Sequence, residues 1–328
     1  MRRRRSGNVG AACVAALALL LAPALRAQRG LSREGALFLL VPIGARPVAM
    51  GQAVVASPDI GGEAVWWNPA ALASLTRREA GFHFGQTLVA NSLAGDFVLP
   101  AGRAGTVAFS AHLLDYGAQE FTDQIGSLGT LLPRSLAAAA TYGAGFGRDV
   151  DAGLSYKLVQ SRLDCTGPCG DVSTFNASTS ALDAGLRVRV RSVPGLTLGA
   201  AVRNLGLRLQ VNDNSQADPL PTRLHLGAQL PIRAVSARDT SVAAIVAAEL
   251  VAAVPFAAPQ LRVGTELSYQ HDYFLRAGYA TGTGDATGAS FGMGFRRGGL
   301  AIEFARVLGG FSADAGQPPT YLSLRLQF

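Results

Sequence analysis

The sequence predicts an all-β fold, a 14-stranded antiparallel transmembrane β-barrel with a short amino-terminal plug. Three observations predict it: an export signal over residues 1–27, alternating segments of about ten residues from Glu79 onward, and connections that fall into a long set and a short set. Composition agrees, because 39 glycines among 328 residues, 16% charged residues and a mean hydropathy of +0.25 describe a chain more apolar than a typical soluble enzyme.

The signal peptide comes first. Arg2 to Arg5 form its basic region, Val9 to Leu21 its apolar region, and Ala22, Ala24 and Ala27 its small-residue end, so cleavage after Ala27 or Ala24 is expected. The apolar run is too short to span a bilayer as a helix. Cys13 lies inside it and leaves with it. The leader also holds five arginines, and without them the formal charge falls from +7 to +2. No basic stripe remains, which excludes a nucleic-acid partner.

Fourteen alternations follow, over 79–90, 92–100, 103–114, 135–147, 150–162, 174–190, 196–204, 222–231, 240–252, 260–270, 272–280, 288–297, 299–308 and 319–328. An even number of strands lets the wall close with both ends on one side, and closure satisfies every backbone group in lipid. The connections after the third, fifth, seventh, eleventh and thirteenth strands are long and polar. Those after the fourth, sixth, tenth and twelfth have RD, SVPG, HD and RG at their cores. Long loops belong outside and tight turns in the periplasm, so the expected location is the bacterial outer membrane. The connection after the first strand is short for an outer loop, and RAVSARD after the eighth is long for a turn.

The last strand shows the pattern well. Leu322, Leu324, Leu326 and Phe328 point one way, and Tyr321, Ser323, Arg325 and Gln327 the other. A terminal Phe328 on such a strand, with Tyr321, is similar to the signal read by barrel-assembly machinery. The stretch 242–258 has the apolarity of a membrane helix, but Glu249 and Pro255 interrupt it. Read as a strand, it turns Glu249 inward and leaves Val242, Val246 and Leu250 facing lipid. Asp151, Lys157, Arg187, Arg189, Arg223, Arg262, Glu266, Glu303 and Arg325 also fall on inward positions, which predicts a charged, filled or wet lumen.

No motif for chemistry survives its context. GASFG (288–292) has the nucleophile-elbow spacing around Ser290, but GMGFRRGG after it cannot start the required helix. GAGFG (143–147) and GTGDATG (282–288) open no helix after a parallel strand, so they read as barrel and loop glycines rather than a dinucleotide site. His83, His112, His225 and His271 are scattered without metal-ligand spacing. The reading is non-enzymatic, with no metal and no cofactor. Cys165 and Cys169 suggest a disulfide closing a small loop in an exported chain; a metal site there would need further ligands, with only Asp164 and Asp171 at hand.

Residues 28–78 do not alternate, so they are not wall, and they are apolar enough to fold back into the barrel as a hatch ahead of the barrel proper at 79–328. Asn68 can cap or turn the chain, Pro69 stops a helix from running through it, and Ala70, Ala71 and Ala73 allow close approach to a wall. Trp66 and Trp67 pack the plug or sit at the membrane interface. FLLVPIGARPVAMGQAVVA, with Gly44, Met50 and Gly51, followed by a short acidic loop and WNPAALA, with Trp67, Asn68, Pro69 and Ala70, resembles the amino-terminal signature of the PorV/PorQ outer-membrane proteins. These are relatives of the FadL transporters. LGAAVRNLG (198–206) and PLPTRLHLGAQL (219–230) are similar to a second pattern of that family. SPDIGGEA departs modestly from the family's Asp-Asp before the hatch helix.

The resemblance implies a FadL-like barrel associated with protein secretion by a type IX-like pathway. Its implied partners are outer-membrane lipid, barrel-assembly machinery, and exported protein cargo or secretion components. The alternative is a FadL-like transporter of hydrophobic compounds. An outer-membrane esterase using Ser290 ranks last.

Overall fold

The computed structural model describes residues 34–122, 126–169, 174–210, 217–232, 241–282 and 287–328. The signal segment and the RAVSARD connection lie outside the described residues, apart from the latter's first and last neighbours. Among the described residues seventeen strands are formed: β1 (Glu79–Gln86), β2 (Asn91–Pro100), β3 (Thr106–Asp115), β4 (Gln119–Thr122), β5 (Ser127–Phe146), β6 (Val150–Thr166), β7 (Phe175–Arg189), β8 (Thr197–Gly206), β9 (Leu209–Gln210), β10 (Ala217–Asp218), β11 (Arg223–Pro231), β12 (Val242–Ala253), β13 (Ala257–Tyr269), β14 (Tyr273–Ala280), β15 (Gly288–Arg297), β16 (Leu300–Val307) and β17 (Thr320–Gln327). All but β4, β9 and β10 form one antiparallel wall. It closes because β1 pairs with β17 and β3 pairs with β5.

These fourteen wall strands coincide with the fourteen alternations, and the rival helix at 242–258 is strand β12. Alternation places them as expected. Phe82, Phe84, Leu93, Phe109, Leu154, Leu158, Leu275, Ile302 and Leu322 are exposed on the outside, as a wall facing lipid requires. Aromatic residues gather at the short-turn end, where Phe97 meets Phe328 and Tyr273 meets Phe295. At the other end β5 runs for 20 residues and β6 for 17, against the roughly 9–11 that cross a bilayer. With β4 and the first half of β7 they stand above the wall as a small sheet.

The segment ahead of β1 fills the lumen. It is built from short pieces: a 3₁₀ turn at Leu37–Leu40, helices at Ala45–Ala49 and Ala64–Trp67, and 3₁₀ turns at Gly61–Glu63 and Pro69–Ser74. Nearly every residue from Ala45 to Leu72 is buried. It sits that deep because the wall offers it a track of glycines on inward positions. Gly143, Gly153 and Gly185 are neighbours across β5, β6 and β7; Gly199 faces Gly227, and Gly264 faces Gly278. A Cβ at Gly153 would fall 2.3 Å from Pro69, at Gly199 2.3 Å from Val55, at Gly264 2.3 Å from Met50, and at Gly278 2.0 Å from Gly51. Backbone lies on backbone, and any side chain in the track would lift the hatch away.

Candidate functional site

The hatch and the inner face form one polar and one apolar region. The residues singled out in the sequence mark the seat of the hatch. Gly44 takes φ 92°, and a Cβ there would fall 2.4 Å from the Glu63 carboxyl. Met50 and Gly51 lie on Gly264 and Gly278, with Gly51 at φ 59°. Asn68 caps the turn that starts at Pro69: its Oδ1 accepts from the Ala70 amide at 3.0 Å, while its Nδ2 donates to Val55 O at 2.6 Å. It ties two separate stretches of hatch together. Trp66 and Trp67 are both buried inside the plug, so of their two readings the packing one describes them. The Trp67 indole donates to Ile43 O at 2.9 Å.

Wall carboxylates and hydroxyls hold the hatch backbone. Glu249 accepts from the Val54 and Val55 amides at 2.9 and 2.8 Å, Glu79 from Gly62 at 2.6 Å, and Ser323 Oγ from Ala45 at 2.8 Å. Arg187 donates to Ser57 O at 2.9 Å and to Asp151 at 2.6 Å. In the half of the lumen nearer the short turns, a chain of buried ion pairs runs from Arg46 through Glu266, Arg276 and Glu303 to Arg325, with successive separations of 3.0, 2.6, 3.1 and 3.1 Å. Each charge has a partner of opposite sign, which is the condition for burying it. His83 sits between Asp96, at 2.7 Å, and Ser323, at 2.9 Å. Its Nδ1 is also 3.2 Å from Glu63, but the hydrogen bond at that nitrogen goes to Ser323.

Toward the loop end the interior turns apolar. Phe38, Leu39, Val65 and Trp66 of the hatch pack with Leu114, Val159 and small wall residues such as Ala137 and Ala181. Leu209 and Leu220, from the connection between β8 and β11, complete the cluster from above, with Tyr116 and Phe175 against it. Lys157 lies over Trp66, 5.7 Å from the ring centroid, and pairs with Asp183 at 2.5 Å. The Asn204 side chain accepts from Lys157 at 2.8 Å, and its backbone amide donates to Asp183 at 2.7 Å. The Asn-Leu-Gly stretch noticed in the sequence therefore sits where the β7–β8 ladder changes register.

The ten inward ionisable residues are all in this interior, though Arg189 remains partly exposed. Sequence reasoning missed Arg46, Glu63, Asp96, Asp183, Arg203 and Arg276. The last four lie on inward positions of their strands, so the same alternation could have found them. Ser290 faces the hatch and donates to Ala49 O at 3.4 Å. The structure joins Cys165 to Cys169, with Cα atoms 6.2 Å apart. Tyr321 is buried and Phe328 exposed at the end of β17.

Solved structures share this architecture. The Ralstonia pickettii toluene transporter TbuX matches with a TM-score of 0.56 at 16% identity, over 87% of this chain and 98% of its own. The CymD monoaromatic hydrocarbon channel matches at 0.58 and 12% identity, over 88% and 98%. A Pseudomonas aeruginosa FadL homologue aligns over 88% and 98% at 0.49 and 12% identity. No protein-family model and no curated sequence matches. The chain shares the barrel fold of the toluene transporter and the monoaromatic hydrocarbon channel.

Proposed function

We propose that this protein is a non-enzymatic channel of the bacterial outer membrane through which hydrophobic compounds pass, with the hatch as its gate. The observation that carries the reading is the apolar cluster that descends from Leu209, Leu220 and Phe175 onto Phe38 and Trp66 of the hatch. A hydrophobic compound arriving from outside meets apolar surface first and the ionic seal second. The hydrocarbon channels of the same fold support this reading over the secretion role that the sequence resemblance placed first. The experiment uses intrinsic fluorescence, because the two tryptophans of the chain are adjacent in the hatch. A brominated aromatic hydrocarbon should quench the purified barrel saturably, whereas a water-soluble quencher should not. Absence of saturable quenching would overturn the reading.

A second reading, PorV/PorQ-type collection of exported proteins, is favoured by the sheet above the wall. Among the described residues β4 pairs only with β5, and Phe175–Ser178 of β7 pairs with β6 but not with β8. These open edges could take an added strand from a cargo protein or a secretion component. Crosslinks from Asn176 in cells to an exported protein would support it. Lipid around the wall and assembly machinery acting on β17 are partners under either reading.

A further inference from the structure

Three guanidiniums meet on the inner wall beside the hatch, and the neighbouring carboxylates are already occupied. Arg203 of β8 and Arg223 of β11 are cross-strand partners, and both are close enough to Arg262 of β13 to act on it electrostatically. Arg223 is matched, since it donates to the two oxygens of Glu34 at 2.7 Å each. Glu249, 3.8 Å from Arg262, gives one oxygen to the Val54 and Val55 amides and the other to His225 Nδ1 at 2.7 Å. Asp183 is taken by Lys157 and the Asn204 amide.

Arg203 has only 9% of its surface exposed; it lies over the Trp67 ring, with the centroid 5.3 Å away, and the carboxylates that act on it, Asp183 and Glu249, are both hydrogen-bonded elsewhere. The Nε of Arg203, the Nε and Nη1 of Arg262, and the Nε2 of His225 are buried without a hydrogen-bond partner. Glu249 Oε1 lies 2.7 Å from His225 and 3.8 Å from Arg262, and Arg203 stands opposite Arg223, two residues from His225 on β11, so these nitrogens share one part of the interior. Stacking on an indole does not offset the loss of water from a guanidinium whose buried Nε–H stays unused.

We infer that Arg203 and Arg262 form a binding site for an oxyanion, a carboxylate or phosphate group, held between hatch and wall; His225, whose Nδ1 donates to Glu249, borders the site with Nε2 as an acceptor. Guanidiniums present paired N–H donors that match two oxygens of such a group. Trp67 closes one side and couples the site to the hatch. The same donors serve a free anion or the head group of an amphiphile, and the inference holds under either functional reading above.

The test is a thermal-unfolding titration of the full-length mature barrel in a non-ionic detergent at constant ionic strength. The probes are inorganic phosphate, octyl phosphate and, as the uncharged control, octanol. A saturable rise in the midpoint with either phosphate probe and none with octanol is expected, and the apparent affinity should weaken at least tenfold in Arg203→Met and Arg262→Met. Inorganic phosphate acting as well as octyl phosphate identifies a free-anion site. Octyl phosphate acting alone identifies a head-group site. No shift from either in the wild-type barrel, or a shift of equal affinity in a variant that retains the folded barrel, overturns the inference.

Discussion

Gly185 of the wall touches Asn68 of the hatch so closely that a Cβ at Gly185 would fall 2.0 Å from Asn68 Oδ1 and 2.9 Å from Pro69. The glycine leaves room for an amide that organises the hatch. Gly185→Ala should therefore unseat it, at a cost of about 1–3 kcal/mol for overpacking. Gly95→Ala is the control, because its Cβ would meet nothing nearer than 3.6 Å. Midpoints of heat-modifiable gel mobility, with protease access to the hatch, compare the two; equal behaviour would refute the track.

Asn68 itself has two jobs, and two variants test them. Asn68→Ala loses the acceptor for the Ala70 amide and the donor to Val55 O, about 1 kcal/mol for the missing cap. Asn68→Asp keeps the acceptor but sets a buried carboxylate against the carbonyls of Val55 and Leu186, which costs more than the lost cap. Denaturant midpoints should fall in the order wild type, alanine, aspartate.

A pH effect follows from Glu63, which lies in the hatch. Burial pushes its carboxyl up from the ordinary 4.5, while His83 and Arg325 pull the other way. An acid whose folded-state value is raised supports the fold fully below its ordinary value and progressively less as pH rises through the raised one. Hatch stability should therefore decline from about pH 4 upward, and Glu63→Gln should flatten that decline. Parallel pH profiles for the two proteins would count against this account.

The wall was legible because every strand alternates with period two, and a misplaced register would have turned Glu249 or Arg325 toward lipid. The hatch was legible only as a segment that fails to alternate. Gly143, in GAGFG, reads as an ordinary barrel glycine, since the reason for it, the Pro69 backbone, lies far away in sequence. His83 and His225 were dismissed on spacing, yet each is held by a carboxylate from a neighbouring strand, Asp96 and Glu249. Such pairs follow from register, which single-strand patterns do not supply. Arg46 and Glu63 escaped because the hatch has no period to place them.

The outer sheet carries its own prediction. Cys165 and Cys169 enclose three residues, and a Cβ on Gly129 of β5 would touch both sulfurs at 3.5 and 3.4 Å. Reduction should loosen the sheet locally by about 2 kcal/mol, small because the closed loop is short. Intact mass before and after reduction should differ by two hydrogens. An unchanged mass would mean two free thiols.

Glu249 offers the sharpest separation of hatch from wall. Among the described residues its carboxylate is the only side chain bonded to the Val54 and Val55 amides, and it also faces His225 and Arg262. Glu249→Gln keeps one amide oxygen as an acceptor, so the hatch should stay seated with a modest loss. Glu249→Ala leaves two buried amides and a buried guanidinium without it, a change of about 3–5 kcal/mol for breaking a buried ionic partner. The wall ladder between Gly227 and Arg262 runs through the backbone of residue 249, so the barrel itself should still close. The expected result for the alanine variant is a barrel that retains heat-modifiable mobility while Trp66 and Trp67 become open to a water-soluble quencher. Loss of both together would mean that hatch and wall fold as one unit; no change in quenching would mean that the glycine track and the bonds from Glu79, Arg187 and Ser323 hold the hatch without Glu249.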